Sequence, residues 1–212
     1  MIFRIPRFVT WMYPKRIWEG AAEERSIYLT FDDGPIPEVT PWVLEQLRKY
    51  NAKATFFCIG ENVERHPTIF RSIVEEGHSI GNHTYNHLNG WKNSTAEYLL
   101  NSLKCQRTIE KNLSGSSPVK NALFRPPYGK IKNKQAKELQ KRGFRVVMWS
   151  ILSRDYDQDI SPRICYETVT KNLKPGSIIV FHDSLKARKN LTLALPQLLE
   201  FLAEQNFALK AL

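Results

Sequence analysis

Residues 26–35 read SIYLTFDDGP, and this stretch decides the fold. SIYLTF is a short run of apolar, aromatic and β-branched residues bounded by a turn signal, the pattern of a buried strand. It ends abruptly on two adjacent carboxylates, Asp32 and Asp33, and a Gly-Pro turn. Further along the chain, ATFFCI (54–59), HSIGN (78–82), ALF (122–124), FRVVMW (144–149), SIIVF (177–181) and FALKAL (207–212) repeat the apolar run, predicting seven short strands in all. Amphipathic helical segments separate most of them. Thr40-Pro41 and Ser161-Pro162 read as an N-cap followed by the first helical position. Ser94 and Glu97 have capping-box spacing, and Gly77 and Gly143 fall where helices stop before the next strand. Alternating strands and helices predict an α/β chain with a largely parallel sheet and right-handed crossovers. The expected form is a distorted or incomplete (β/α) barrel of about seven parallel strands, with an open doubly wound sheet as the alternative.

The polar clusters follow the same rhythm. DDGP (32–35), HTYNH (83–87), RPPYG (125–129), SILSRDYD (150–157) and HDS (182–184) each lie where a predicted strand ends. Ligand sites of α/β proteins gather at the C-terminal ends of strands, which makes that rim the expected active site.

Composition narrows the class. A chain of 212 residues with 42% hydrophobic and 11% aromatic residues suits one well-buried core and argues against disorder. The net charge of +10 favours anionic partners. The Lys and Arg residues are dispersed, however, with no nucleic-acid-binding motif, so no nucleic-acid partner is expected. Cys58, Cys105 and Cys165 are odd in number and lack paired spacing, as expected of buried thiols in a reducing compartment. No stretch approaches the ~20 apolar residues needed to span a bilayer. The N-terminal MIFRIPRFVTWMYPKRIW interleaves apolar and basic residues without a signal-peptide pattern, which leads to the expectation of a cytoplasmic protein. Phe3, Phe8, Trp11 and Trp18 beside Arg4, Arg7, Lys15 and Arg16 allow contact with a membrane surface; packing of these aromatics on the domain is the expected alternative.

The chemistry-bearing residues point to a metal. Asp32 and Asp33 repel each other unless a cation, a proton or an Arg intervenes; an Asp-Gly turn is the plain alternative. His83 and His87 are four apart, and on a helical turn both imidazoles would face one ion. Two His and one carboxylate form a catalytic zinc set that leaves a position open. His66 and His78 sit at a helix start and a strand start, where structural roles are expected. His182 lies at the rim, where a histidine can donate a proton to a leaving amine. Arg125 opens a loop stiffened by two prolines, and Tyr128 brings a backbone N–H to it.

Taken together, TFDDGP (30–35), HTYNH (83–87), RPPYG (125–129), SRDY (153–156) and VFH (180–182) resemble, in order, the five motifs of the NodB-homology polysaccharide deacetylases, carbohydrate esterase family 4. The resemblance divides the chain into an N-terminal extension packed on the domain (1–25) and a catalytic domain (26–212). It implies one divalent metal, most often Zn²⁺ with Co²⁺ or Ni²⁺ as alternatives, held by Asp33, His83 and His87. It makes Asp32 the general base and His182 the general acid. Arg125 would orient Asp32, Asp155 would steady Arg125, and the Tyr128 N–H would hold an oxyanion. The expected reaction is removal of N-acetyl groups from GlcNAc-containing poly- or oligosaccharides. The alternatives are deacylation or deformylation of a lipid-linked or small amino-sugar conjugate, and a sugar-binding module with a decayed site. Leu152 and Tyr156 stand where the family commonly has Asp and Trp, and Val180 where it has Leu, which bears on substrate shape more than on chemistry.

Overall fold

The structure, a computed structural model, describes residues 5–113 and 121–212. Phe3 and Arg4 lie outside the described residues, as does the side chain of Arg7. Helix α1 (Arg7–Met12) opens the chain, followed by β1 (Ser26–Asp32), α2 (Thr40–Lys49), β2 (Ala54–Cys58), α3 (Gly60–Arg65), α4 (Pro67–Glu75) and β3 (Ser79–Asn82). After these come α5 (Thr95–Asn112), β4 (Leu123–Phe124), α6 (Asn133–Lys141), β5 (Arg145–Val146) and β6 (Ile151–Leu152). Helix α7 (Pro162–Thr170), β7 (Ile178–His182), α8 (Arg188–Glu204) and β8 (Ala208–Leu209) complete the fold. The sheet order is β5-β4-β3-β2-β1-β7-β6, with β8 beside the start of β1, and every strand pair is parallel. The sheet curls into a half-barrel, as expected. One strand more than predicted is present among the described residues, because Ile151–Leu152, inside a polar motif, pairs with β7.

Strand periodicity sorts the side chains. On β1, Ile27, Leu29 and Phe31 face the helices and share a core with Val43 and Leu47 of α2 and Leu195 and Leu199 of α8. Tyr28, Phe57 and Ile178 face the other way and fill the barrel interior with Leu123 and Val147. Gly81 makes room for this filling: a Cβ there would lie 2.3 Å from the Phe57 ring. The barrel stays open between β5 and β6, two-residue strands at the ends of the sheet order. Ile17 pairs with Val147, and the Gly20 N–H donates to the Gly176 carbonyl, so residues 17–20 cross this open side.

Several local expectations hold and others need correction. Ser94 and Glu97 form a capping box, and Ser161 caps α7. Thr40 is not an N-cap: it lies inside α2, and its hydroxyl donates to Asp183 Oδ2 at 2.6 Å and accepts from the Ile36 N–H. The N-cap is Val39, and the Thr40 hydroxyl oxygen accepts from the Ile36 N–H in place of a first-turn N–H of the helix. Of the N-terminal aromatics, Trp18 is buried, whereas Phe8 and Trp11 do not pack and are 64% and 82% exposed. Cys58, Cys105 and Cys165 are buried, free thiols. No helix among the described residues is long and apolar enough to cross a membrane.

Candidate active site

Asp32 is the last residue of β1, on the same inward face as Thr30. Arg125, fully buried beyond β4, spans both: its Nη1 donates to Asp32 Oδ1 at 2.8 Å and to Thr30 Oγ1 at 2.6 Å, and Nη2 donates to the Met148 carbonyl at 2.9 Å. Burial by itself would raise the Asp32 pKa, but the charges of Arg125, His83 and His182 outweigh it and hold the carboxyl below its ordinary range. Asp32 is therefore a carboxylate throughout the neutral range. Arg125→Ala removes its buried counter-charge and is expected to destabilise the protein by about 3–5 kcal/mol, read as a loss in the midpoint of urea unfolding.

Two consecutive strand residues point to opposite faces, so Asp32 and Asp33 can share a site only if the chain leaves the strand between them. Asp33 does so, with φ of 86°. The turn is held from three sides. The Asn62 side-chain amide donates to the Asp33 carbonyl at 2.7 Å. The Gly34 N–H donates to Asp183 Oδ1 at 3.0 Å, and the Asp183 N–H donates to the Asp32 carbonyl at 3.1 Å. Position 34 must be glycine, since a Cβ would lie 1.9 Å from Asp183 Oδ2. In the sequence Asp183 stands out only as the neighbour of His182; in the structure it anchors the two-carboxylate turn.

His83 and His87 lie not on a helical turn but in a loop beyond β3, with Thr84 and His87 at φ of 64° and 58°. Side chains shape this loop in place of helical bonds. The Thr84 N–H donates to Asn82 Oδ1, Tyr85 N–H to Asn101 Oδ1, and Leu88 N–H to Thr84 Oγ1. The His83 Nδ1–H donates to the Arg125 carbonyl at 2.8 Å, which leaves Nε2 free to face Asp33 Oδ1 at 3.8 Å. His87 Nε2 is 3.3 Å from the same oxygen, and its Nδ1 is 3.0 Å from the Tyr128 hydroxyl, a partner not anticipated from sequence. Burial lowers the pKa of His83, and burial with the neighbouring His83 lowers that of His87 to about 4, which keeps both in the neutral, metal-binding form.

These residues fit a divalent cation. One donor atom each from Asp33, His83 and His87 lies within 4.8 Å of the others. Asp33 Oδ1 is buried without a hydrogen-bond partner among the described residues, an arrangement that costs free energy unless a cation completes it. Both histidines have their outer nitrogens engaged, as ligating histidines usually do. Among the described residues His66 belongs to no group that could hold a metal, and His78 accepts the Ala54 N–H through Nδ1 at 3.2 Å, a structural role.

His182 ends β7, opposite Asp32 in register. Asp155 does not reach Arg125, contrary to expectation. Its Oδ1 lies 2.8 Å from His182 Nδ1, and its Oδ2 accepts the His182 N–H at 2.7 Å. The reason is topological: β6 pairs with β7, so residues beyond β6 meet residues beyond β7, while Arg125 leaves β4 on the other side of β1. Burial alone would lower the His182 pKa, but Asp155 outweighs it and raises it to about 9. In Asp155→Asn this raising charge is lost, so the alkaline fall in turnover is expected to move down by about 1–2 pH units. A pH–kcat profile checks this, and an unmoved limb would separate Asp155 from the proton donor.

Asp32, Asp33, His83, His87 and His182 open into one cavity of about 550 Å³, walled by Tyr128, Trp149, Leu152, Tyr156 and Val180. The Tyr128 backbone sits at φ of 59° in the turn Pro127–Gly129.

Comparison with known proteins agrees with this geometry. A family model described as polysaccharide deacetylase matches residues 19–147. A Bacillus cereus protein named peptidoglycan-N-acetylglucosamine deacetylase is 39% identical over 193 residues, covering 90% of this chain and 87% of the relative. The chain spans 59% of the length of a second B. cereus protein of that name. An Azorhizobium caulinodans chitooligosaccharide deacetylase is 40% identical over 162 residues, covering 76% of this chain and 74% of the relative. Among solved structures, a peptidoglycan N-acetylglucosamine deacetylase in complex with an N-hydroxybenzamide compound superposes with a TM-score of 0.86 at 32% identity, covering 96% of this chain and 94% of that one. With the five motifs gathered on one rim of a parallel half-barrel and these relatives alongside, the chain belongs to the polysaccharide deacetylase family.

Proposed function

We propose that this chain is a metal-dependent N-deacetylase that hydrolyses the acetamide of GlcNAc residues in a poly- or oligosaccharide. The observation that carries the reading is the arrangement around one cavity. A cation-ready Asp33–His83–His87 triad shares that cavity with Asp32, which is paired with Arg125, and with His182, which is paired with Asp155. The names of the relatives, which specify peptidoglycan and chitooligosaccharide deacetylation, support the substrate class.

Asp33, His83 and His87 would hold a divalent ion, zinc by the chemistry of these donors, which would supply Lewis-acid polarisation of a carbonyl and lower the pKa of water. The remaining roles fall to the chain. Asp32, fixed by Arg125 and kept ionised, accepts the proton of the attacking water. The Tyr128 N–H donates to the oxyanion as the carbonyl carbon becomes tetrahedral. His182, kept protonated by Asp155, donates from Nε2 to the departing sugar amine, and acetate and a glucosamine unit are released.

The test is acetate release by the purified chain with added zinc or cobalt. The substrates are acetylated chito-oligomers, peptidoglycan fragments and a lipid-linked amino sugar, with formate measured in parallel. Acetate from a GlcNAc oligomer supports the reading. Formate release, acetate from the lipid-linked sugar only, or glycan binding without turnover would replace it.

A further inference from the structure

The segment around α1 carries two apolar stripes, and the fold covers one of them. Ile5, Val9 and Tyr13, at i, i+4 and i+8, pack against the core cluster that holds Trp18, Phe144 and Met148. The Ile5 N–H donates to the Ser150 carbonyl at 3.1 Å, which ties the segment to the domain. Phe8, Trp11 and Met12, at i, i+3 and i+4, make the second stripe and stay 64%, 82% and 55% exposed. Trp11 is the most exposed large apolar side chain among the described residues.

The surface beside this stripe is basic. Met12 and Tyr13 line a groove of about 230 Å³ together with Lys15, Arg16 and, from α6, Lys137. Lys134 lies one turn before Lys137 on the same face of α6. Residues 5–18 contain no acid, and the acid within 130–142, Glu138, is paired with Lys141 and Arg142. Arg16 Nη2 donates to Asn133 Oδ1 at 3.0 Å and its guanidinium lies 4.1 Å from the centre of the Tyr13 ring, neutral partners that leave its charge in place. Lys15, Lys134 and Lys137 form no ion pair among the described residues.

Bare aromatic rings beside uncompensated cations match the interfacial zone of a bilayer. There the rings enter the boundary between headgroups and acyl chains, and the cations meet lipid phosphates. A protein partner fits less well, because lysine is depleted where proteins meet. We propose that the outer stripe of α1 and the adjoining face of α6 dock this chain on an anionic phospholipid bilayer. Phe8, Trp11 and Met12 enter the interface, and Lys15, Arg16, Lys134 and Lys137 lie against the headgroups. None of these residues lines the catalytic cavity, so the docking surface is separate from the site and the inference stands apart from the deacetylase reading.

The test is co-sedimentation of the full chain with vesicles of phosphatidylcholine alone and of phosphatidylcholine mixed with phosphatidylglycerol. The mixed vesicles are expected to bind about tenfold or more tightly at low salt, and the difference should shrink at about 0.5 M salt. F8S/W11S should weaken binding to the mixed vesicles by about 30-fold, through lost apolar burial. K15Q and K137Q should each weaken it by about fivefold, which tests the same surface without touching an apolar side chain. W91S removes another exposed indole, outside the patch, and should leave binding unchanged. The replaced side chains are exposed, so each variant should keep the wild-type Tm, measured on the same samples. Binding to neither vesicle, equal binding to both, or undiminished binding by F8S/W11S overturns the inference. So does a lipid-free dimer on gel filtration that F8S/W11S converts to monomer, because a second copy of the chain would then be what covers the stripe.

Discussion

Asp32→Asn is expected to retain zinc and to lose turnover by about 10²–10⁴-fold, the usual effect of deleting a general base. Asparagine preserves the shape of the site, and its amide oxygen can still accept from Arg125 Nη1, which now lies 2.8 Å from Asp32 Oδ1. It cannot take up a proton. Asp32 is outside the triad whose donors converge within 4.8 Å, so zinc should be kept. The variant also leaves Arg125 buried without its counter-charge, so a lower Tm should accompany the lost rate. The assay must therefore be run well below the new Tm, with zinc content measured on the same sample. Wild-type turnover in a folded, zinc-loaded Asp32→Asn protein would remove Asp32 from the mechanism. Because its pKa is held below the ordinary range, ionised Asp32 persists to low pH in the wild type, and the acid limb of the profile should be displaced downwards.

His83→Ala is expected to lose both metal and activity, the activity by about 10³-fold or more, since several kcal/mol of carbonyl charge stabilisation disappears with the ion. His83 is buried, with Nδ1 tied to the Arg125 carbonyl and Nε2 aimed at the triad, so no neighbouring side chain can replace it. Zinc measured by atomic absorption after gel filtration, alongside acetate release, separates this from the Asp32 variant. Loss of rate with zinc retained would show that His83 is not a ligand. Added zinc should restore an enzyme stripped with a chelator and should not restore His83→Ala.

Much of this is legible in the amino-acid sequence. Buried strands advertise themselves as short apolar runs, and the Pro, Gly and Ser residues between them mark where helices begin and end, so strand order along the chain and the polar rim at strand exits could be read directly. Five ordered motifs then named Asp32, Asp33, His83, His87, Arg125 and His182. Such features are local, and each depends on residues within a few positions of one another.

What only the tertiary structure decided is non-local. The partner of Asp155 depends on which strand β6 lies beside, and β6 is two residues within a polar motif, too short to produce a periodic signal. Asp33 faces Asp32's cavity because the backbone turns to φ of 86° under bonds from Asn62 to Asp33 and from Gly34 to Asp183, partners 29 and 149 positions apart that no sequence spacing reveals. The histidines converge through a loop shaped by Asn82 and Asn101 rather than through a helix. Lys137 is one among 31 basic residues until the fold places it on one groove with Lys15 and Arg16. Local sequence sets the intrinsic preference of each segment, but side-chain partners are chosen by which strands lie adjacent. That adjacency is a property of the packed sheet, fixed by the burial of all its strands together.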